Sequence, residues 1–445
     1  MEAMILEIRP IIEKRMLKRK IRVLRRRLRL GKTHKVPHVT LIYNFTPRIS
    51  TFDLAKILRE TALGYPNMGF EYSGWEIEEG ESGYVFGFKI RPNQQLKSFR
   101  YVLYNNLKRH IQDNSDFNRL SQEDYWFHSA ISFKMDERTA DRVRNFIENK
   151  QSKSILSQLF PFIFANKQMN GINPIFLKSH VARIPIIQSG RITYEYDILL
   201  DKILNRREAL SKYYTKLTFH KYREMNNIEL KMPLKSKDKK VWLISDTHFE
   251  HGNVISFCGR PFYDAGEMND IIALNWNNTV SSSDTIYHLG DIALSRERTY
   301  PKRSVAEVTE KWVNRLNGKK IFINGNHDPL YFGEYWRVED YKGIQFLLIH
   351  NPRGAEEDWP ESIKQKFYGF VKKIDKGNVW TIHGHTHNNN LIRYPFINFE
   401  EKTVNVSVEL IGYAPICLDE IVDLIKSNKT KENQLYYNRA KTSNL

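Results

Sequence analysis

Two residues of metal-ligand type, Asp246 and His248, stand at the polar end of a segment with the sequence KVWLISDTHFEH. The apolar run at 241–244 predicts a buried strand, and ligands commonly bind beyond the carboxyl ends of such strands. Four later apolar runs end in residues of the same type, and we expect all of them to collect in one site. Those runs are followed, in order, by Gly290-Asp291, Gly325-Asn326-His327-Asp328, His350 and Gly384-His385-Thr386-His387.

Carboxylate, imidazole and amide groups in one site predict a centre for divalent metal ions. Two cations about 3.5–4 Å apart need an anionic bridge, oxygen and nitrogen ligands, and an open side for water and phosphate. Ligands of this kind without thiolate favour Mn, Fe, Zn or Ni, and the sequence does not indicate which of them binds. Segments 267–277, 304–316 and 361–374 predict helices between the strands, which indicates a layered α/β fold.

A second candidate site begins with His38, in a predicted strand at 37–45. Side chains alternate across a strand, so Thr40 is predicted on the same face as His38. An imidazole beside a hydroxyl group can hold and protonate a phosphate oxygen. The pair therefore predicts a phosphate-binding position.

His128 lies in a similar apolar strand, predicted at 126–133. Two residues later the chain has Ala130, which carries no hydroxyl, and Ser129 is predicted to point to the opposite face. Alternation predicts Ser132 on the face of His128, about 6.5 Å further along the strand. The sequence therefore proposes Ser132 as a phosphate contact, and it leaves a domain that only binds its ligand as an alternative.

The composition indicates a protein with two or three domains. The chain has 445 residues, of which 41% are hydrophobic, and it has no apolar run long enough to span a membrane. Its cysteines, Cys258 and Cys417, form neither a disulfide framework nor a zinc-finger pattern. The basic N-terminal segment lacks the apolar region of a secretory signal, so we expect a cytoplasmic protein.

Charge is unevenly distributed along the chain. Of the formal net charge of +18, residues 1–240 contribute about +20 and the remainder about −2. Residues 1–35 are predicted as a basic amphipathic helix, with Leu17, Ile21, Leu24 and Leu28 on its apolar stripe. We expect this arm to bind nucleic acid through phosphate contacts; a membrane-surface helix and a solvated, partly disordered arm are the alternatives.

The polar, lysine-rich segment 226–239 is predicted as a linker, and the polar segment 429–445 as a loose tail. These assignments divide the rest of the chain into domains at 36–225 and 240–428.

The motifs of the second domain, in their order along the chain, resemble those of the calcineurin-like metallophosphoesterases. The resemblance covers residues 240–428 and implies a four-layer αββα sandwich. It also implies two metal ions and a ligand role for seven side chains, with Asp291 as the bridge between the ions. The first ion would be held by Asp246, His248, Asp291 and His387, and the second by Asp291, Asn326, His350 and His385.

His327 would donate a proton to the leaving oxygen or stabilise the transition state. Arg260 and Arg353 lie near the motif loops and are proposed as phosphate contacts, with surface ion pairs as the alternative.

The two histidine strands, His38-x-Thr40 and the strand of His128, resemble the two-histidine phosphoesterases. That family includes RNA 2',3'-cyclic phosphodiesterases and the so-called 2'-5' RNA ligases. The resemblance covers residues 36–225 and implies a bilobal α+β domain in which one histidine is the general base and the other the general acid. Ala130 departs from the family pattern.

Three functions are compatible with these observations. The first is a two-domain enzyme that processes RNA ends, opening 2',3'-cyclic phosphates in one domain and hydrolysing phosphate esters in the other. The second is a metallophosphoesterase of small nucleotides or phosphomonoesters with a regulatory, RNA-binding N-terminal domain. The third is an RNA-binding or scaffold protein with inert histidines. The sequence does not indicate an oligomeric state.

Overall fold

The chain divides into two units, residues 1–222 and residues 223–445, in the computed structural model of the protein. The structure describes residues 3–31, 36–80, 83–151, 176–228, 238–294, 304–329, 332–355, 359–373, 379–427 and 433–437.

Within its described residues, the first unit contains one six-stranded and one four-stranded sheet, both antiparallel. The strands are β1 (Met4–Ile8), β2 (Val39–Pro47), β3 (Gly69–Gly80), β4 (Gly83–Pro92), β5 (Ile111–Asp113), β6 (His128–Met135), β7 (Phe176–His180), β8 (Arg183–Gln188), β9 (Arg191–Asp197) and β10 (Lys202–Asn205). The sheet orders are β10-β9-β8-β1-β2-β5 and β6-β4-β3-β7.

Helices accompany both of these sheets. They are α1 (Lys14–Arg27), α2 (Thr51–Leu63), α3 (Gln94–Leu107), α4 (Glu137–Gln151), α5 (Arg206–Ala209) and α6 (Lys212–Met225), with a 3-10 turn at Asp116–Arg119. Aromatic side chains dominate the core of the four-stranded sheet, where Phe86, Phe88 and Tyr72 are buried. The mixture of sheets and helices confirms the expected α+β architecture.

The N-terminal segment differs from the predicted arm. The helix is present as α1, and Leu17, Ile21 and Leu24 are buried in the core of the unit. It is preceded, however, by β1, which lies inside the six-stranded sheet between β8 and β2. Because β1 and α1 both pack within the first unit, residues 3–31 belong to that unit and are not a separate arm. The many basic residues that follow β1 concealed this short strand in the sequence.

The second unit is built around two sheets with parallel strand pairs at their centres. The described strands are β11 (Val241–Ile244), β12 (Thr285–His288), β13 (Lys319–Phe322), β14 (Trp336–Tyr341), β15 (Ile344–Ile349), β16 (Val379–His383), β17 (Ile397–Asn398), β18 (Thr403–Asn405) and β19 (Ile416–Cys417). Their orders are β13-β12-β11-β19 and β14-β15-β16-β18-β17. The described helices are α7 (Gly252–Cys258), α8 (Ala265–Thr279), α9 (Val305–Val313), α10 (Glu361–Lys373) and α11 (Leu418–Ser427). The predicted α/β sandwich architecture is confirmed.

Parallel pairing determines where the candidate ligands of this unit collect. Strands β11, β12 and β13 run parallel, and so do β15 and β16. Each of them has apolar residues in its second half or throughout, and a polar segment follows its carboxyl end. In each sheet, the polar segments therefore lie at the same edge.

The predicted linker and tail lie mostly outside the described residues. Residues 229–237, 428–432 and 438–445 are not described. The described part of the predicted tail is bonded to the second unit, because the backbone of Gln434 pairs with Ile397. Among the described helices, none combines the length and apolar character needed to cross a bilayer.

The interior position of β1 predicts that the first unit cannot fold without residues 1–10. Met4, Leu6 and Ile8 are each 1–2% exposed, and truncating such a side chain costs about 2–5 kcal/mol. Removing all three, together with two strand pairings, should abolish the cooperative thermal unfolding of the unit, as measured by circular dichroism. A chain lacking only residues 1–2 is the control. An unchanged melting curve for the larger truncation would contradict the assignment.

Candidate active sites

In the second unit, four of the predicted ligands converge through their side-chain ends. His248 Nε2 lies 3.3 Å from His387 Nε2 and 3.5 Å from Asp291 Oδ2. His387 Nε2 is also 3.6 Å from Asp246 Oδ1. All four side chains are at least largely buried, so this is an enclosed group of oxygen and nitrogen donor atoms.

The remaining predicted ligands form an adjoining group on the other side of Asp291. Its Oδ2 atom, which faces His248, is also 3.6 Å from His350 Nε2. Asn326 Oδ1 lies 3.3 Å from that nitrogen and 3.0 Å from His385 Nδ1. The structure thus brings all seven predicted side chains together, with one carboxylate oxygen common to both groups.

The backbone beneath this cluster has an unusual conformation. Five of the seven residues have positive φ angles, which non-glycine residues adopt rarely and at a cost in energy. They are Asp246 (58°), His248 (50°), Asp291 (58°), His385 (65°) and His387 (46°). Close packing also restricts two motif glycines, because a Cβ atom at Gly384 would overlap the Asp246 carboxylate and one at Gly325 would overlap that of Asp291.

Two imidazole rings are oriented by hydrogen bonds on the side away from the cluster. His350 Nδ1 donates to the carbonyl oxygen of Leu289 at 2.7 Å. His387 Nδ1 donates to Glu409 Oε1 at 3.0 Å. Each ring therefore directs Nε2 into the cluster, an orientation that is usual for metal-binding histidines.

Glu409 is a site residue whose role the sequence did not reveal. Burial raises the pKa of its carboxyl group, but the charges of Arg260 and His387 outweigh burial and lower that pKa to about 2. The group therefore remains a carboxylate at neutral pH. The sequence separation between Glu409 and its partners conceals this contact.

The prediction that Arg260 contacts substrate phosphate is wrong. Its side chain is fully buried, and its guanidinium donates to Glu409 Oε1 at 2.8 Å and to the carbonyl oxygens of Thr247 and Asp246 at 2.9 and 2.7 Å. A buried guanidinium must satisfy its donors within the protein, which leaves none directed at a substrate. Arg260 instead positions Glu409 and the Asp246 turn.

Asp328 stabilises the loop that carries Asp291. Its carboxylate accepts hydrogen bonds from the backbone N–H groups of Asp291, Ile292 and Gly325 at 2.8–2.9 Å. Burial, together with the nearby charge of Asp291, raises the pKa of Asp328 to about 6. The side chain thus ties together the two loops that carry Asp291 and Asn326.

His327 and Arg353 lie at the accessible side of the cluster. The His327 side chain is exposed, and its ring centre is 5.6 Å from that of His248. Its backbone N–H donates to Asp291 Oδ1 at 2.9 Å. Arg353 is exposed as well, and its charge adds to the burial that lowers the pKa of His385 to about 3. Both residues are therefore available to a ligand.

In the first unit, His38 and His128 have matching local geometries. His38 Nδ1 is 2.9 Å from the carbonyl oxygen of Val36, and His128 Nδ1 is 3.2 Å from that of Trp126. In both cases the partner precedes the histidine by two residues. Burial lowers the pKa of His128 to about 4, and the nearby charge of His38 contributes in the same direction.

Thr40 lies on β2 with a half-buried side chain, and its carbonyl oxygen accepts a hydrogen bond of 2.9 Å from the Tyr125 hydroxyl. That hydroxyl is also 3.1 Å from the carbonyl oxygen of Leu41. Tyr125 therefore connects the segment before His128 to the strand that carries Thr40.

The prediction that Ser132 shares the face of His128 is wrong. The pairing of β6 with β4 shifts register between Ala130 and Ser132, which indicates a β-bulge. Ser132 consequently pairs with Phe86, on the core side of the sheet, and is 3% exposed. Simple alternation cannot anticipate a bulge, and Ser132 is not a phosphate contact.

Comparisons with known proteins agree with this division. The model of the calcineurin-like phosphoesterase family matches residues 239–423, and that of the 2'-5' RNA ligase superfamily matches residues 13–156. These matches indicate phosphoesterase activity and, for the second unit, divalent metal ions.

Individual relatives are similar to part of the chain. An uncharacterized protein of Methanocaldococcus jannaschii is 45% identical over 191 residues, which are 43% of this chain and 94% of that protein. The gene 66 protein of Mycobacterium phage L5 is 24% identical over 205 residues, 41% of this chain and 93% of the phage protein. A solved structure of a protein of unknown function from Aquifex aeolicus is 25% identical with a TM-score of 0.31, covering 42% of this chain and all of that one. Residues 239–423 of this chain thus match the calcineurin-like phosphoesterase family, and residues 13–156 match the 2'-5' RNA ligase superfamily.

Proposed function

We propose that the second unit hydrolyses phosphate esters with two divalent metal ions. The observation that carries this proposal is the convergence of acceptor atoms around Asp291 Oδ2, which is 3.5 Å from His248 Nε2 and 3.6 Å from His350 Nε2. Buried acceptors repel one another unless a cation lies among them. The mixture of oxygen and nitrogen donors without thiolate fits Mn, Fe, Zn or Ni.

Each side chain has a role in this proposal. Asp246, His248, Asp291 and His387 hold one ion, and Asp291, Asn326, His350 and His385 hold the other. Such ions supply an acidified water and neutralise the charge that develops on phosphate. His327, exposed beside the cluster, donates a proton to the leaving oxygen. Arg353 binds the remaining phosphate oxygens.

The metal proposal predicts that Asp291→Asn abolishes metal-dependent hydrolysis of model phosphomonoesters and phosphodiesters, because the amide cannot serve as an anionic bridge. Glu409→Gln should leave the ligands in place but weaken metal affinity about 10–100-fold, since it removes the carboxylate that orients His387. Rates across a panel of metal ions, and calorimetric metal titrations, measure the two effects.

Asp270→Asn is the matched control, because Asp270 is an exposed carboxylate of the same unit. Full activity of Asp291→Asn with every metal would contradict the proposed centre. The preference between monoesters and diesters follows from the same assays.

For the first unit we propose the opening of 2',3'-cyclic phosphates at RNA ends. The matching geometries of His38 and His128 favour this second activity. A pKa of about 4 leaves His128 neutral at pH 7, so it is suited to accept the proton of the attacking water. His38 then donates a proton to the ribose oxygen that leaves phosphorus, and Thr40 binds a phosphate oxygen.

This assignment predicts that His38→Ala and His128→Ala each slow ring opening about 10²–10⁴-fold, whereas Asp291→Asn leaves it intact. The wild-type rate should fall as the pH drops through about 4, where His128 becomes protonated and can no longer act as a base. Conversion of the 2',3'-cyclic phosphate end of a short RNA to a phosphomonoester, followed by chromatography, measures both effects. Unchanged ring opening in His38→Ala would leave the alternative of a non-catalytic, RNA-binding unit.

RNA is the proposed partner of helix α1. Arg15, Arg19, Arg22 and Arg26 are exposed at intervals of three and four residues, which puts them on one face over about 16 Å of the helix. The apolar face of the helix packs on the domain, so this basic face is held in a fixed orientation. Phosphate groups of a single strand can be contacted along such a row.

Replacing Arg19, Arg22 and Arg26 with glutamine should weaken RNA binding and reduce the slope of log K against log salt by about 2, because each phosphate contact of a single strand contributes about 0.7. Glutamine at Lys366, Lys372 and Lys373 is the control, since these exposed lysines lie on α10, a helix of similar length. Equal slopes for the two triple variants, measured by fluorescence anisotropy, would exclude the α1 face as the RNA contact.

A further inference from the structure

Two charged residues of β1 and its end, Glu7 and Arg9, lie beside His38. Glu7 is paired with Thr40 in the sheet, and directly opposed residues of an antiparallel pair point to the same face. Thr40 and His38 share that face as well, because they are two residues apart. Glu7, Thr40 and His38 therefore line the same surface of the six-stranded sheet.

The contacts of Glu7 connect the other two charged groups. Glu7 is 4% exposed. Arg9 Nε donates to Glu7 Oε1, and Glu7 Oε2 lies 3.8 Å from His38 Nε2. The Arg9 side chain keeps 18% of its surface exposed. A carboxylate so deeply buried needs charged or hydrogen-bonding partners, and here they are an arginine and a candidate catalytic histidine.

On the face of His128, the described part of β6 offers phosphate no hydroxyl group, although Lys89 of β4 lies directly opposite His128. Ala130 has no hydroxyl, and its partner on the neighbouring strand is Gly87, which has no side chain. Ser129 and Ser132 both lie on the core side. Hydrolysis of a cyclic phosphate places negative charge on two non-bridging oxygens, and Thr40 supplies one hydroxyl only. A cation beside Thr40 would supply a second donor to these oxygens on the β2 side of the site.

We propose that Arg9 binds the substrate phosphate and that Glu7 positions both Arg9 and the His38 ring. The proposal rests on the cyclic phosphodiesterase activity proposed for the first unit. Both residues precede residue 13, where the match to the 2'-5' RNA ligase superfamily begins.

The proposed ring opening forms one bond to phosphorus, breaks another and transfers two protons. The attacking water forms a bond to phosphorus and gives one proton to His128. The bond between phosphorus and one ribose oxygen breaks, and His38 gives its proton to that oxygen. The guanidinium of Arg9 faces the non-bridging oxygens, and the product is a terminal phosphomonoester. Glu7 carries the charge that accompanies protonated His38 before the transfer.

The test compares Arg9→Gln, Arg9→Lys and Glu7→Gln with the parent chain in an Asp291→Asn background, which removes metal-dependent hydrolysis. Arg48→Gln is the matched control, since Arg48 is exposed just after the other end of β2. Two quantities are measured: kcat and KM for uridine 2',3'-cyclic phosphate, and the calorimetric affinity for uridine 3'-monophosphate. Thermal melting curves verify that each variant folds.

We expect Arg9→Gln to lower kcat/KM about 10²–10³-fold and to weaken binding of the monophosphate, with partial recovery of both in Arg9→Lys. Glu7→Gln should lower kcat more than it raises KM, because the conservative change keeps the volume but removes the charge beside His38. If the ion pair of Glu7 and Arg9 were purely structural, Glu7→Gln would change the melting curve but would not lower kcat more than it raises KM.

The outcomes separate the two proposals. If the parent chain hydrolyses the cyclic nucleotide and Arg9→Gln equals Arg48→Gln in rate and affinity, the role of Arg9 is excluded while the activity stands. If the parent chain has no activity but binds the monophosphate through Arg9, the proposed reaction fails and the binding role is supported. If the parent chain neither reacts nor binds, both proposals are overturned.

Discussion

Crowding of buried polar atoms around one carboxylate, that of Asp291, is the constraint on which the site of the second unit depends. Asp291 Oδ2 faces nitrogens of both His248 and His350, and the strands of the two sheets deliver these groups to the same place. The chain sustains this crowding through turns with positive φ angles and through glycines that leave no room for a side chain. Hydrogen bonds from Asp328 and the pair of Glu409 and Arg260 keep the crowded groups from relaxing outward. Much of the polar structure around the site therefore serves to maintain an arrangement that is unfavourable without cations.

The candidate site of the first unit contains fewer charged side chains than the cluster of the second unit. Its two histidines are each held by a backbone carbonyl, and they differ mainly in their surroundings. His128 is stacked on Trp126 with ring centres 3.9 Å apart, whereas His38 lies 3.8 Å from the carboxylate of Glu7. An apolar neighbour favours a neutral imidazole and a carboxylate favours an imidazolium. Two similar strands thus place their histidines in different surroundings, which suits the opposite proton-transfer roles proposed for them.

The sequence was most informative where function is encoded locally. The seven candidate ligands follow apolar runs directly, so the strands and the order of the motifs could be predicted, and the helices α8, α9 and α10 begin and end close to the predicted positions. Contacts between distant segments could not be predicted in this way. Glu409 reaches His387 only because β18 lies beside β16. Ser132 was misassigned because one extra residue in a bulge reverses the face of every residue beyond it. The strand β1 was missed because it has five residues and precedes a helix dominated by arginine.

The location of β1 also has a consequence for how the protein is made. This strand is synthesised well before one of its two partners, β8, which follows roughly 180 residues later along the chain. The six-stranded sheet therefore cannot be completed until β8 has been synthesised, and β1 lacks this partner until then. Such distant pairing slows folding and prolongs the time during which an unpaired apolar strand is exposed. The arginine-rich helix α1 follows β1 directly. Its positive charge opposes the association of the unpaired strand with other nascent chains.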